Sequence, residues 1–177
     1  MKYLRIPIIR IGVLIGHEGE TRKKLEDITN STIDIDSKSG EITIDDSKIK
    51  DPLTTIKIEN IILAIGRGFS PEHAFQLLND DYEFFIFDIR DYVGNKDNHI
   101  RRLKSRIIGR NGKTKNVLED LTDSHISIYG HTVSIISNYI NIDITKKAID
   151  KLLSGSKHAT TYRFVETNMK KIRHGWI

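Results

Sequence analysis

The chain contains one segment twice, as IGHEGETRKKLEDITNSTIDI at Ile15–Ile35 and as IGRNGKTKNVLEDLTDSHISI at Ile108–Ile128. The two copies lie 93 residues apart, align without a gap and are identical at eleven of twenty-one positions. Chance does not produce a match of that length and density. The chain is therefore a duplication of a unit of roughly 70–90 residues, and the organisation of one copy predicts that of the other.

The hydrophobic pattern of the first copy and of the residues on either side of it predicts the element order β-α-α-β-β-α. The expected elements are a strand at Tyr3–Ile9, a helical turn at Gly12–Ile15, a helix over residues 19–30, strands at Thr32–Asp36 and Glu41–Asp45, and a helix that starts at Asp51 and Pro52 and ends at Gly66. Proline is favoured in the first turn of a helix, which fixes where the last element begins. One side of that helix is expected to carry Leu53, Ile56, Ile61, Ile62 and Ile65.

The second copy repeats this order. Its expected elements are a strand at Tyr82–Ile89, helices at Ile100–Ile108 and residues 113–122, strands at His125–Tyr129 and Thr132–Ile136, and a helix at Ile140–Leu153. An extra C-terminal helix is expected over residues 160–177, with Tyr162, Val165 and Met169 on one side. The sequence thus predicts an α+β protein with a first domain at 1–68, a connecting helical segment at 69–81, a second domain at 82–159 and the C-terminal helix.

Charge is distributed unevenly along the chain. Residues 1–97 hold 13 Lys and Arg against 18 Asp and Glu, whereas residues 98–177 hold 15 against 6. No acidic residue lies within Asn98–Asn116, which carries seven basic ones: Arg101, Arg102, Lys104, Arg106, Arg110, Lys113 and Lys115. Such a run can be a solvated helix face, but solvated helices usually interleave both signs. A run of one sign favours an anionic partner for the second domain.

A short glycine loop occurs at the same point of each copy, as Gly16-His17-Glu18-Gly19 and as Gly109-Arg110-Asn111-Gly112. Glycine permits a sharp turn and leaves no Cβ in the way of an approaching backbone. The helix that follows presents unpaired N–H groups and a positive dipole end, both of which favour phosphate. A purely structural turn between two helices is the alternative, because a single GxxG pattern is a weak signal.

Together with the β-α-α-β-β-α order, these loops resemble the KH family, whose GxxG loop clamps about four nucleotides of single-stranded nucleic acid. The resemblance implies two tandem type I KH domains and covers nearly the whole chain. Residues 66–75 (GRGFSPEHAF), Gly109–Lys115 and Thr161–Glu166 are similar to the archaeal relatives of the small-subunit assembly factors called partner of Nob, or Dim. That resemblance implies binding to the 3′ region of small-subunit rRNA during ribosome assembly or pre-rRNA processing. It also implies two protein partners, the α subunit of translation initiation factor two and the Nob endonuclease.

The two loops are not expected to contribute equally to RNA binding. The second-domain residues expected to contact RNA are Arg102, Arg106, Ile108, Gly109, Arg110, Asn111, Gly112, Lys113 and Lys115. Those of the first domain are Gly16, His17, Glu18, Gly19, Arg22 and Lys23. Glu18 and the following Glu20 depart from the usual basic loop, so the first domain is expected to bind RNA more weakly, or to pack, orient the chain or bind a protein instead. Ile15, Ile33, Ile108 and Ile126 are candidates for apolar floors under the bases, or for core positions.

No arrangement of residues predicts catalysis, and no cofactor is expected. Cysteine is absent, and neither an HExxH pattern nor a phosphate loop ending in GK[ST] occurs. Four carboxylates on neighbouring strands, Asp34, Asp36, Asp45 and Asp46, could suggest a metal, but alternation with isoleucine is typical of solvent-facing strand positions. His99 and His131 are either RNA contacts or ordinary surface residues. Without a signal sequence or a run of about 20 apolar residues, the protein is expected in the cytoplasm.

Two other functions compete with rRNA binding. One is an interaction scaffold on which RNA binding is incidental and the C-terminal helix docks a protein. Salt dependence separates this from RNA clamping, because phosphate contacts weaken steeply with salt and apolar docking does not. The other is a regulator of mRNA or a subunit of a degradation complex, which the glycine loops cannot distinguish from an rRNA-binding protein.

Overall fold

The computed structural model describes residues 1–175, which form two compact units, the first ending at Asp80 and the second beginning at Asp81. Each unit contains one three-stranded antiparallel sheet and several helices. The α+β class predicted from the sequence is therefore confirmed. Both units contain the predicted β-α-α-β-β-α series, to which the second unit adds a one-turn helix after its first strand and each unit adds a helix at its end.

The first unit closely follows the predicted elements after its first ten residues. Its elements are β1 (Lys2–Arg5), α1 (Ile8–Ile15), α2 (Glu20–Thr29), β2 (Thr32–Ile35), β3 (Glu41–Asp45), α3 (Pro52–Gly66) and α4 (Pro71–Phe75). Short 3-10 turns follow α1 at His17–Gly19 and α4 at Gln76–Leu78. Asp51 caps α3 by accepting a hydrogen bond from the Leu53 backbone N–H at 3.0 Å, as its position before Pro52 predicts.

The predicted strand over Tyr3–Ile9 is wrong in its second half. The strand ends at Arg5, and Ile8 and Ile9 begin a two-turn helix rather than continuing the sheet. Pro7 stands between the two elements with extended backbone angles and has no N–H to offer a strand partner. The helix is held by its own apolar face, since Ile11 and Leu14 are buried in the core.

The core of the first unit lies between the sheet and the three long helices. In the sheet, β3 is central, with β1 and β2 antiparallel on either side and Ile33 opposite Ile44. The buried side of α3 consists of Ile58, Ile61, Ile62 and Ile65. The prediction that Leu53 and Ile56 share this side is wrong, because they are 59% and 51% exposed. Helical periodicity groups residues 58, 61, 62 and 65 and places residues 53 and 56 on another face.

The second unit has the same plan with longer strands and one long additional helix. Its elements are β4 (Tyr82–Asp88), α5 (Arg90–Val93), α6 (Asp97–Ile108), α7 (Lys113–Thr122), β5 (Ser124–Tyr129), β6 (Thr132–Asn138), α8 (Tyr139–Leu153) and α9 (His158–Arg173). The 3-10 turn Arg110–Gly112 lies between α6 and α7. The sheet order is β4-β6-β5, and the core is continuous from β6 to Val165 and Met169 of α9. Residues 176 and 177, the end of the predicted C-terminal helix, lie outside the described residues.

Several residues that are identical in the two copies make the same hydrogen bonds. The Glu26 carboxylate accepts from the Ile33 backbone N–H at 2.7 Å, and the Glu119 carboxylate accepts from the Ile126 N–H at the same distance. A buried threonine at the end of the preceding helix bonds a serine two residues later in each unit, as Thr29 with Ser31 and Thr122 with Ser124. These bonds tie a helix to the strand that follows it. Their repetition shows that the shared residues maintain the fold.

The structural repeat extends beyond the segment that the sequence comparison recognised. Helices α3 and α8 each have 15 residues, and each is followed by a glycine with positive φ, Gly68 at 100° and Gly155 at 97°. The next helix then starts at Pro71 in the first unit and at His158 in the second. Because α4 packs on α3 as α9 packs on α8, the C-terminal helix has a short counterpart in the first unit. The predicted domain boundaries at 68, 81 and 159 stay predictions.

Candidate nucleic-acid interface

The two glycine loops have nearly the same backbone geometry. Gly109 has φ 75° and ψ 174°, and Gly16 has φ 76° and ψ 177°. The third loop residue is left-handed in both, with φ 51° at Asn111 and φ 50° at Glu18. Asparagine tolerates this conformation better than glutamate. The same loop therefore forms with less local strain in the second unit.

The first glycine of each loop is required by packing and not only by its backbone angles. A Cβ built on Gly109 would lie 2.6 Å from the Thr114 backbone nitrogen, and one on Gly16 would lie 2.7 Å from that of Thr21. The second glycine has room for a Cβ, since a Cβ on Gly112 would meet only the Asn116 side chain, in ordinary contact at 3.9 Å. The loop thus folds tightly against the start of the next helix and leaves its outer side clear.

The helix after the second loop offers unused hydrogen-bond donors. Helix α7 begins at Lys113, its N-cap residue is Gly112, and within the described part of the chain no side chain caps its first turn. Backbone N–H groups at such a terminus have no partner inside the helix and carry a partial positive charge. With the Arg110 and Lys113 side chains exposed beside it, this terminus is suited to bind phosphate.

Two grooves flank helix α6 of the second unit. The first, here called the hairpin-side groove, has a volume of about 710 Å³ and is lined by Ile100, Arg101, Lys104 and Ile108 of α6 and by Gly130 and His131 at the turn between β5 and β6. Its two isoleucines supply an apolar surface on which a base can rest, and its cations lie beside them. Ile108 is thus at the groove, whereas Ile33 and Ile126 are buried core residues.

The second groove, here called the α9-side groove, has a volume of about 850 Å³. Its lining includes Arg101, Arg102, Gly109, Arg110, Lys113 and His158. The basic run and the glycine loop identify most of these residues from sequence alone. His158 was missed, because it is 49 residues away from Gly109 in the chain and reaches the groove only through the packing of α9 on α7 and α8.

Arg106, one of the predicted RNA contacts, has structural partners. The Arg106 guanidinium donates from Nε to the Leu152 carbonyl at 3.3 Å and from Nη2 to the Ser156 carbonyl. Arg10 of the first unit does the same, donating to the carbonyls of Ile65 at 2.8 Å and Phe69 at 2.7 Å. Each arginine thus fastens the helix that carries it to the C-terminal end of α3 or α8.

Lys115 is likewise engaged, since its ammonium lies 2.8 Å from the Glu119 carboxylate. In the first unit, Arg22 pairs with Glu26 at 3.7 Å, and Lys23 reaches the Glu18 carbonyl at 3.5 Å. By contrast, Arg102, Arg110 and Lys113 form no ion pair with any of residues 1–175. The cations with the most freedom to meet a ligand therefore cluster around the second loop.

The surface around the first loop has mixed charge. A groove of about 670 Å³ is lined by His17, Glu18, Glu20, Lys23, Lys24 and Asp27, so acids and bases alternate there. The difference continues into the preceding helix, where Ile8 and Ile9 occupy the positions of Arg101 and Arg102 and are 55% and 80% exposed. The first unit therefore has the loop geometry without the basic surface.

An acid–base pair fixes the edge of the hairpin-side groove. Arg90 donates from Nε to both Asp88 carboxylate oxygens, at 3.0 and 3.1 Å, and the His131 Nδ1 lies 3.2 Å from the same carboxylate. These contacts, the Arg90 hydrogen bonds first, hold the pKa of the Asp88 carboxyl well below its usual range. These contacts hold His131 at the groove. The sequence alone allowed either an RNA contact or an ordinary surface position for this residue.

The strand carboxylates of the first unit serve turns. Asp36 accepts from the Lys38 N–H at 2.9 Å and from the Ser39 hydroxyl at 2.7 Å, and Asp45 accepts from the Ser47 N–H at 3.0 Å. The Ser39 hydrogen bond lowers the pKa of the Asp36 carboxyl. No group of three or more His, Asp or Glu side chains among residues 1–175 is arranged to hold a metal ion. None of the described helices is long and apolar enough to cross a membrane.

Comparison with known proteins gives a consistent picture. Residues 83–170 match the model of the second KH domain of PNO1, described as a eukaryotic type KH-domain (KH-domain type I). A KH domain-containing protein of Methanocaldococcus jannaschii is 43% identical over 174 residues, which cover 98% of this chain and 76% of that protein. The pre-rRNA-processing protein pno1 of Schizosaccharomyces pombe is 31% identical over 130 residues, which cover 72% of this chain and 54% of that protein.

A similar chain is also found in a solved complex. The crystal structure of the a/eIF2alpha-aDim2p-rRNA complex from Pyrococcus horikoshii contains a chain that is 44% identical, with a TM-score of 0.87. The match covers 96% of this chain and 94% of that chain. Both the sequence and the arrangement of elements are thus shared along almost the entire length.

Proposed function

The chain belongs to the KH-domain family that includes Pno1 and Dim2p, and from that relationship we propose that it binds single-stranded RNA as a factor in the assembly of the small ribosomal subunit. Its target would be the 3′ region of the small-subunit rRNA. The observation that carries this proposal is the second glycine loop. There an uncapped helix terminus and two cations without an ion pair among residues 1–175, Arg110 and Lys113, adjoin a groove with an apolar surface.

Both units are proposed to be type I KH domains, with boundaries at 1–68 and 82–159 and the segment 69–81 between them. The family model covers the second unit only. Support for the first unit comes from its matching element order, its equivalent loop angles and its repeated carboxylate-to-strand hydrogen bond. In the proposed division of roles, the second domain supplies most of the RNA affinity and the first contributes less.

The RNA site of the second domain is proposed to comprise Ile108, the loop Gly109–Gly112 and Lys113, with Arg102 meeting the strand where it continues past the loop. Arg106 and Lys115 add positive charge while they hold their structural partners. The weaker site of the first domain comprises Gly16, His17, Glu18, Gly19, Arg22 and Lys23. The role is non-catalytic, since binding and positioning account for every feature of the loop. A cytoplasmic location stays a prediction.

A protein partner is part of the proposal. The solved relative is in a complex with both rRNA and a/eIF2alpha, and we propose that this chain also binds the α subunit of translation initiation factor two. The Nob endonuclease is a further proposed partner, based on the family resemblance alone. The exposed Ile8 and Ile9 favour a protein-binding role for the first unit, because an exposed aliphatic pair is a poor ligand for phosphate.

The central test replaces Arg110 and Asn111 together with aspartate. Both glycines remain, and aspartate tolerates the left-handed backbone at residue 111. Two anions then lie where phosphate is expected, so RNA affinity should fall about tenfold or more, equivalent to about 1.4 kcal/mol. Fluorescence anisotropy with a single-stranded RNA from the 3′ region measures this change.

The matched control makes the same replacement at His17 and Glu18. Because that loop already carries an acid, the loss of affinity should be smaller. Circular dichroism shows whether both variants stay folded. Unchanged RNA affinity in the second-loop variant would contradict the proposed site, and a larger loss in the first-loop variant would reverse the proposed division of roles.

A further inference from the structure

We propose that the RNA strand extends beyond the glycine loop into the α9-side groove, where its phosphates bind Arg101, Arg102 and the N-terminal end of α9. This inference rests on the proposed RNA-binding function and adds a second phosphate track to it. The track adjoins the hairpin-side groove, with which it shares Arg101 and Ser105 of α6.

The two grooves differ in chemistry. The hairpin-side groove contains the aliphatic side chains of Ile100 and Ile108 and one acid, Asp97. Among the described residues that line the α9-side groove, none is aliphatic and none is acidic, while four are arginines and one is a lysine. A groove with five cations and no acid among these residues suits phosphodiester groups. The α9-side groove therefore offers a phosphodiester backbone a cationic path without a competing acid among the residues that line it.

The base of the α9-side groove is rigid. Arg106 is fixed by its bonds to the Leu152 and Ser156 carbonyls. His158, the first residue of α9, bonds the Arg106 carbonyl through Nε2 at 2.9 Å. These contacts lock α6 to the start of α9, so the exposed cations above them are held on a fixed frame. A preorganised frame lowers the entropic cost of binding.

The duplication provides an internal comparison that argues against a purely structural role for these cations. The first unit forms the same helix–loop–helix with Ile8 and Ile9 in place of Arg101 and Arg102, and with Glu20 in place of Lys113. The fold therefore does not require basic residues at these positions. Since the loop is shared and the cationic groove is not, the groove serves a function of the second unit.

The distance along helix α6 from the glycine loop to Arg102 determines how long an RNA must be to reach Arg102. Arg102 lies six residues before Ile108, which corresponds to about 9 Å along the helix axis. A strand clamped at the loop therefore needs about one or two nucleotides beyond the about four that the loop itself holds before it reaches Arg102. Arg102 should therefore contribute to the binding of long strands and not of short ones.

The experiment compares Arg102→Glu with the wild-type protein on two single-stranded RNAs from the 3′ region of archaeal small-subunit rRNA, one of about four and one of about twelve nucleotides. The variant should bind the longer RNA about fivefold or more weakly, with a log–log salt slope less steep by about 0.7 for each phosphate that the variant no longer neutralises. Its affinity for the shorter RNA should change less than about twofold. Lys147→Glu is the control, because it makes the same change in net charge at an exposed α8 position outside both grooves.

The outcomes separate this inference from the proposed function. If Arg102→Glu weakens both RNAs equally, or neither, or if Lys147→Glu has the same effect, the extended track is wrong while RNA binding by the wild-type protein stands. If the wild-type protein binds neither RNA, the proposed function fails and the track with it. Selective weakening on the longer RNA, absent in the control variant, supports the track.

Discussion

At the scale of single residues, the two loops place different residue types in the same left-handed backbone conformation, one that tolerates it well and one that does not. Asn111 and Glu18 have almost the same left-handed φ. Asparagine is several-fold enriched in that region, whereas a glutamate there is strained. The glycines and the loop cations could be predicted from the sequence, because they act locally. The left-handed third position could not, since no local pattern distinguishes it from an ordinary turn.

Replacing Glu18 with asparagine should therefore stabilise the protein. The change relieves the left-handed strain and should raise the free energy of unfolding by about 0.5–1 kcal/mol. It also removes an acid from the first loop, so RNA affinity should stay equal or rise. Urea denaturation followed by circular dichroism measures the stability. Asn111→Glu is the reciprocal variant, and a stability gain in it would contradict the strain argument.

At the scale of elements, sequence patterns predicted the middle of each unit better than its beginning. The helix and strand that contain the repeated segment were predicted to within a residue or two, because alternation and capping signals agree there. The first helix was predicted as one turn, since a short apolar run such as Ile8 and Ile9 fits a strand and a helix equally well. The helix is favoured over a strand by the burial of Ile11 and Leu14 in the core, which the local sequence does not reveal.

The grooves could be predicted only in part. Basic residues of α6 were evident as a run, but their distribution between two flanks depends on where the β5–β6 turn and α9 pack. His131 and His158 join these grooves through tertiary contacts with residues more than 20 positions away. Long-range contacts of this kind leave no signal in local sequence.

The junction between β4 and α5 predicts a pH dependence. Contacts with Arg90 and His131 lower the pKa of Asp88 in the folded state below its unfolded value of about 3.9. A lowered carboxyl pKa contributes stability at pH values above the unfolded pKa, and this contribution is lost as pH falls towards the folded pKa. Asp88→Asn should therefore be less stable than wild type near neutral pH, with a difference that shrinks below about pH 4. Thermal unfolding across this range measures it, and a difference that is constant with pH would contradict the assignment.

At the scale of the whole molecule, the chain combines two loops of equal geometry with surfaces of unequal charge. The net charge is negative up to residue 97 and strongly positive after it. Duplication therefore preserved the helix–loop–helix while the surface around it diverged. When one strand binds both units, the second binding event benefits from the effective concentration that the first creates.

This duplication predicts a preference for length and for single strands. A strand of about twelve nucleotides from the 3′ region should bind more tightly than either half, and more tightly than the same sequence annealed to its complement. With about four to eight phosphates neutralised, the log–log salt slope should lie near −3 to −6. Titrations at several salt concentrations test both statements. Equal affinity for duplex and single strand would exclude the groove mechanism, whereas equal affinity for a scrambled sequence would exclude only the rRNA target.

The repeated hydrogen bond, which the Ile33 N–H donates to Glu26 and the Ile126 N–H donates to Glu119, also has a consequence for biosynthesis. Either helix can offer its carboxylate to either strand, so a chain released fully unfolded has a choice of partners, and repeat proteins are prone to such exchange. A ribosome adds about 5–20 residues each second, so the first segment emerges roughly 5–20 s before its copy. Translation in order therefore lets the first unit close on itself while no competing partner exists, an advantage that refolding from denaturant does not provide.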